Sequence, residues 1–178
     1  MNDSPTVNYA LLGVLMTGPR HAYEILQFMK AHLGFTWYLG RSQLYLVLKR
    51  FEKKGFLCSS LKRQDTRPSK RIFSLTPAGK QAFLDWVGSP TDHPRDTRIE
   101  FMVKLFFFHH LSLEGGCDVI DAQSQNLRHF LKKLEKMQEN EEHPHKKLVL
   151  DFRITMMHEW LNWLEKEAKC FIKNIESQ

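Results

Sequence analysis

The chain has 178 residues, 42% of them hydrophobic and 26% charged, with a formal net charge of +6, enough apolar material for one large or two small cores and too much for a disordered chain. No run approaches the roughly 20 apolar residues of a membrane span, and no charged-then-apolar leader opens the sequence, so a cytoplasmic chain without a membrane partner is expected. Cys58, Cys117 and Cys170 are widely spaced and form no CxxC pair, and His109-His110 and His143-Pro144-His145 have no further ligand at metal spacing, so reduced thiols, no metal and no cofactor are expected.

Residues 9–16 are apolar and closed by Thr17-Gly18-Pro19, which predicts a first helix and a turn. Ala22, Ile25, Leu26, Met29 and Leu33 recur at spacings of three and four, which predicts a second helix over 21–33 with Gly34 as its C′ residue. After Gly40, Ser42 is positioned to cap a third helix over 42–54, with Leu44, Val47, Leu48 and Phe51 inward and Gln43, Tyr45, Lys49, Arg50 and Lys53 largely elsewhere.

Phe56, Leu57, Ser59 and Leu61, then Arg71, Ile72, Phe73 and Leu75, read as the two strands of a hairpin, with Asp65 and Pro68 as turn formers between them. Charge concentrates here. Positions 41 to 71 hold ten basic residues against Glu52 and Asp65, a local +8 in a chain whose total is +6, and such a patch is the footprint of a surface that neutralises phosphates. Thr76 followed by Pro77 signals a fourth helix carrying Ala78, Ala82, Phe83 and Trp86. Gly88-Ser89-Pro90 and His93-Pro94 then interrupt regular structure, which divides the chain into a first domain over 1–88 and a second over 89–178.

The second domain reads as helix throughout. Ile99, Met102, Val103 and Phe106 form a stripe over 96–110, thickened by Leu105, Phe107 and Phe108. A helix starting near Leu113 buries Ile120, Leu127, Leu131 and Leu134, and a last helix over about 146–175 carries two apolar series. One runs Val149, Phe152, Met156, Trp160, Leu164, Ala168 and Phe171, the other Leu150, Ile154, Met157 and Leu161. One hairpin cannot cover both, so a second copy of the chain is expected on Phe152, Met156, Trp160, Trp163 and Leu164.

The blocks Ala10-Leu11-Leu12, His21-Ala22-Tyr23-Glu24-Ile25, the run from Gln43 to Phe56, and the run from Arg71 to Gly79 together resemble the PadR family of bacterial transcriptional regulators. Pro94, Glu100-Phe101, Lys104-Leu105 and the segment from Trp160 to Trp163 are similar to the helical C-terminal domain of that family's longer branch. The family often has glycine where this chain has Ala22, and its wing usually contains glycine where this chain reads Gln64-Asp65-Thr66-Arg67-Pro68.

The resemblance implies a mainly α fold: an N-terminal winged helix-turn-helix domain with a two-stranded β-wing, then an antiparallel long-helix dimerisation domain. It implies a homodimer on double-stranded DNA of palindromic sequence. Ser42, Gln43, Tyr45 and Lys49, with Arg41 at the helix start, are then the groove candidates, and Lys53, Arg63, Arg67, Lys70 and Arg71 the positioning contacts.

A small aromatic effector is a further expectation, because relatives respond to phenolic compounds or planar drugs. Phe101, Phe106 and Phe108, with Phe107, Trp160 and Trp163, are the pocket candidates, and plain core packing is the competing reading. An enzyme is not expected, since the chain has no GxSxG and no phosphate-binding glycine loop. The alternative to a DNA-binding regulator is an interaction platform whose basic face holds an acidic protein.

Overall fold

The computed structural model describes residues 5–34, 36, 39–62 and 70–176, which fall into two compact units meeting at Val87 and Gly88. The first unit runs α1 (Pro5–Leu15), β1 (Arg20–His21), α2 (Ala22–Leu33), α3 (Arg41–Lys53), β2 (Leu57–Lys62), β3 (Lys70–Leu75) and α4 (Pro77–Val87). Its buried centre is supplied by Leu11 and Leu12 of α1, Ile25 of α2, Leu44 and Leu48 of α3, Phe73 of β3 and Phe83 of α4. Tyr9 stacks on Trp86 with ring centroids 5.6 Å apart, which ties the first helix to the fourth.

The hairpin pairs antiparallel from Leu57 with Leu75 to Lys62 with Lys70. The expected two-stranded wing is enlarged by β1, which pairs with β3 through Arg20 with Phe73 and His21 with Ile72 and gives a sheet in the order β1-β3-β2. His21 also begins α2: its Nδ1 accepts from the backbone N–H of Tyr23, and its own N–H donates to Glu24 Oε2 at 2.7 Å. Gly34 is not a left-handed cap, since its φ is −61°. Its Cβ position would lie 2.5 Å from the carbonyl oxygen of Lys30.

Thr76 caps α4 as expected, its hydroxyl accepting from the N–H of Gly79 at 3.1 Å and donating to the carbonyl of Gly55 at 2.6 Å. Gly79 is the point of closest approach. A side chain there would meet the carbonyl oxygen of Phe56 at 2.0 Å, so the first turn of α4 lies directly against the chain that leaves α3.

The second unit opens with a 3-10 turn, Pro94–Arg98, followed by α5 (Glu100–His110), α6 (Gly116–Glu139) and α7 (Pro144–Trp163). A π turn, Leu164–Ala168, leads from α7 into α8 (Lys169–Glu176) without a break in the chain's helical course. The helix expected over 96–110 therefore splits before α5. Polar packing accounts for the split: Gln123 of α6 is buried, accepts from the N–H of Thr91 at 2.6 Å, and donates to the hydroxyl of Thr97 at 3.2 Å. Lys104 of α5 is 1% exposed and donates to the carbonyl of Ser89 at 2.8 Å while pairing with Glu100 at 3.1 Å. Burial pushes its ammonium below the ordinary lysine range, against the opposing pull of Glu100 and Asp92.

Helices α6 and α7, joined by four residues, pack side by side and therefore run antiparallel. Leu150 and Met157 of α7 are buried in that contact layer, whereas Phe152 is 64% exposed. Among the described residues no helix is long and apolar enough to cross a membrane.

Candidate nucleic-acid interface

Helix α3 is amphipathic in the sense that positions a site. Its buried residues, Leu44, Val47, Leu48 and Phe51, form one stripe. Turning the helix at about 100° per residue places Ser42, Leu46, Lys49 and Lys53 on the opposite side, and all four are exposed. Tyr45 lies beside them, also exposed. Gln43 is half-buried on the flank.

The helix begins two residues earlier than a cap at Ser42 predicts. Gly40 is the N-cap, with extended φ and ψ and no side-chain hydrogen bond to the first turn, so Ser42 is a second-position residue and not a cap. Two consequences follow for an anionic ligand. Gly40 offers the N–H groups of the first turn no side-chain acceptor, and they stand at the positive end of the helix dipole. Arg50 and Lys53 stand in the last turn, where cations are stabilised by the opposite end.

Arg71 is held by partners on three elements. Its Nη2 donates to both carboxylate oxygens of Glu52 at 2.8 and 2.9 Å, its Nε donates to Ser59 Oγ at 2.8 Å, and its guanidinium lies 5.4 Å from the ring centroid of Phe73. This links β3, β2 and α3, so the hairpin is held against the last turn of the helix by a charge-assisted pair. The pair also neutralises Glu52, the acid within α3, and leaves the outward side of that helix cationic. Lys70 is exposed, opposite Lys62 in the ladder. Arg63 and Arg67, and the turn from Gln64 to Pro68, lie outside the described residues.

Two groups of expected site residues look different in the structure. Leu164 is fully buried within its own chain, so it is unavailable to a second copy, in contrast with Phe152; Met156, Trp160 and Trp163 are partly exposed. Phe101 and Phe108 are enclosed core side chains and Phe106 stacks on His110 at 5.2 Å. A surface hollow of about 420 Å³ lies in the first unit, bordered by Leu15, Met16, Pro19, Leu75, Thr76 and Lys80. Leu46 is the residue that sequence reasoning missed: it is a leucine, 59% exposed, on the face opposite the core.

Three helices, a hairpin that closes on the third, and a fourth helix behind them make the first unit a winged helix-turn-helix domain. Residues 11–85 match the model of the transcriptional regulator PadR-like family, and residues 97–169 match that of the virulence activator alpha C-terminal region. The chain is 34% identical over 119 residues to the negative transcriptional regulator PadR of Bacillus subtilis, covering 67% of this chain and 65% of that protein. A probable transcriptional regulator of Mycobacterium tuberculosis is 22% identical over 90 residues, covering 51% of this chain and 48% of that one. The chain thus matches less than two thirds of the length of either relative. The crystal structure of Bacillus subtilis PadR in complex with operator DNA is 28% identical, with a TM-score of 0.49 over 95% of this chain and 99% of that one. Residues 11–85 thus form a domain of the PadR-like family of transcriptional regulators, a family of regulators and not of enzymes.

Proposed function

We propose that the chain binds double-stranded DNA of defined sequence as a homodimer, one α3 entering the major groove of each half of a palindromic operator. The observation that carries this reading is the composition of one helix face. Ser42, Tyr45, Leu46, Lys49 and Lys53 project together from α3, and Glu52 is already paired with Arg71. Lysines on such a face neutralise phosphates and fix register, and the side chains between them address base edges. Lys70, with Arg63 and Arg67 of the wing loop, adds phosphate contacts, and Arg71 holds the wing in place for them.

The second copy is assigned to the first part of α7, where Val149 and Phe152 stand exposed on a helix whose other side is already covered by α6. Apolar side chains of that size at one helix face support an isologous contact. A small aromatic effector in the helical unit would have to enter elsewhere than between Phe101 and Phe108, which are closed to solvent.

The direct test is a mobility-shift titration of the full chain with duplexes from its own upstream region. At least one fragment should bind more tightly than random duplex of equal length, with affinity falling linearly in the logarithm of salt concentration. Equal affinity for every duplex would remove base reading from the account.

A further inference from the structure

Leu46 is the one large aliphatic side chain on the outward face of α3. A singly exposed leucine is ordinary on a protein surface. This one is placed differently, because Ser42, Lys49 and Lys53 surround it on a face otherwise polar and cationic. With about 100° of turn per residue, Leu46 points roughly 30° from the direction opposite the buried stripe, whereas Gln43 points roughly 90° from it. Any duplex seated on this face therefore meets Leu46 near the middle of the contact and Gln43 at its edge.

The chemistry of that position is restrictive. A leucine neither donates nor accepts, so facing it with the N7, O6, N4 or N6 groups of a base removes water from those groups and returns no hydrogen bond. Among the edges shown in the major groove, only thymine presents an apolar group, its C5-methyl. Leu46 also stands one helical turn beyond Ser42 and Gln43, at a spacing that places neighbouring side chains about 5–6 Å apart. Its target base lies within about two base pairs of theirs, given a rise of about 3.4 Å per pair.

We infer that Leu46 is a specificity-determining residue that selects a thymine in each half-site by packing against its C5-methyl group. The inference rests on the DNA-binding reading above and names one base contact within it.

The experiment isolates the methyl group. An operator is selected from a random duplex library with the full chain, and each thymine is replaced singly by deoxyuridine, which keeps every hydrogen-bonding group and removes only the methyl. One position per half-site should lose about fourfold in affinity, the worth of one buried methyl group. Leu46→Ala should bind the parent operator more weakly and become indifferent to uridine at that position, with its fold checked by circular dichroism. Leu46→Met, which keeps an apolar tip, should retain the discrimination.

If the chain selects a sequence but no uridine costs affinity, or if the same cost persists in Leu46→Ala, the assignment of Leu46 is overturned and DNA binding stands. If no sequence is selected at all, the DNA-binding reading falls and takes this inference with it.

Discussion

Gly79→Ala sets two opposing effects against each other at the joint between α4 and the chain leaving α3. In an open helix the change is stabilising by about 0.5–1 kcal/mol, because alanine loses less conformational freedom on folding. Here the new Cβ would stand 2.0 Å from the Phe56 carbonyl oxygen and 2.9 Å from its carbon. Both atoms are backbone and cannot rotate aside, so the helix and the chain at Phe56 must separate by about 1.4 Å or more to reach ordinary contact.

That separation stretches the N–H of Thr76 from the Phe56 carbonyl, now 3.1 Å, and the Thr76 hydroxyl from the Gly55 carbonyl. Overpacking of this kind costs about 1–3 kcal/mol and each weakened hydrogen bond about 0.5–1.5 kcal/mol. Against the propensity gain, the net expectation is a loss of about 2–4 kcal/mol from the winged unit. Urea unfolding of the full chain should show a midpoint lowered by about 1–2 M for a slope of about 2 kcal/mol/M. A midpoint unchanged or raised would refute the close approach at Gly79.

The Arg71 staple is tested by a double-mutant cycle of Arg71→Ala and Glu52→Ala. A coupling of about 0.5–1.5 kcal/mol in unfolding free energy is expected for a bidentate pair partly shielded by Phe73, and a coupling of zero would make it an inert surface contact. Phe152→Glu should shift sedimentation velocity toward the monomer by placing a charge in the proposed interface, and an unchanged dimer mass would move that interface elsewhere. Lys104→Met tests the buried ammonium. Its folded pKa is lowered, so the unfolded chain binds more protons as pH rises through the folded value toward the ordinary one, and wild-type stability relative to the variant climbs over that alkaline window. Urea midpoints at about pH 7 and about pH 10 should show the gap moving in favour of wild type, and a constant gap would contradict the assignment.

Much of this fold was legible because its signals are local. The 3.6-residue spacing of Leu44, Val47, Leu48 and Phe51 identifies the buried side of α3, and Thr76-Pro77 marks the start of α4. What escaped was set by distant partners. The two residues of β1 are too few for alternation to register, and they are strand only because β3 lies beside them. Arg71 counts as one more cation in a charge run until Glu52, 19 positions earlier, is seen to hold it.

The wrongly placed Leu164 has a geometric cause. Steps of four residues advance a helical stripe by about 40° each, so a series from Phe152 to Ala168 drifts through about 160°. The exposed start at Phe152 and the buried end at Leu164 and Ala168 are two faces and not one. Leu46 falls on neither side of α3 when inward residues are sorted by apolar spacing and outward ones by polarity, since a lone outward leucine fits neither rule.

The central claim is that the outward face of α3 reads DNA bases and the surrounding cations supply the phosphate attraction. Fluorescence anisotropy of the full chain on its selected operator and on a scrambled duplex of identical composition, across a salt series, tests it most directly. The account predicts tighter binding to the operator at every salt concentration, with both affinities falling linearly in the logarithm of salt. Two coincident curves, falling with salt but not distinguishing the duplexes, would contradict it and leave only a basic surface.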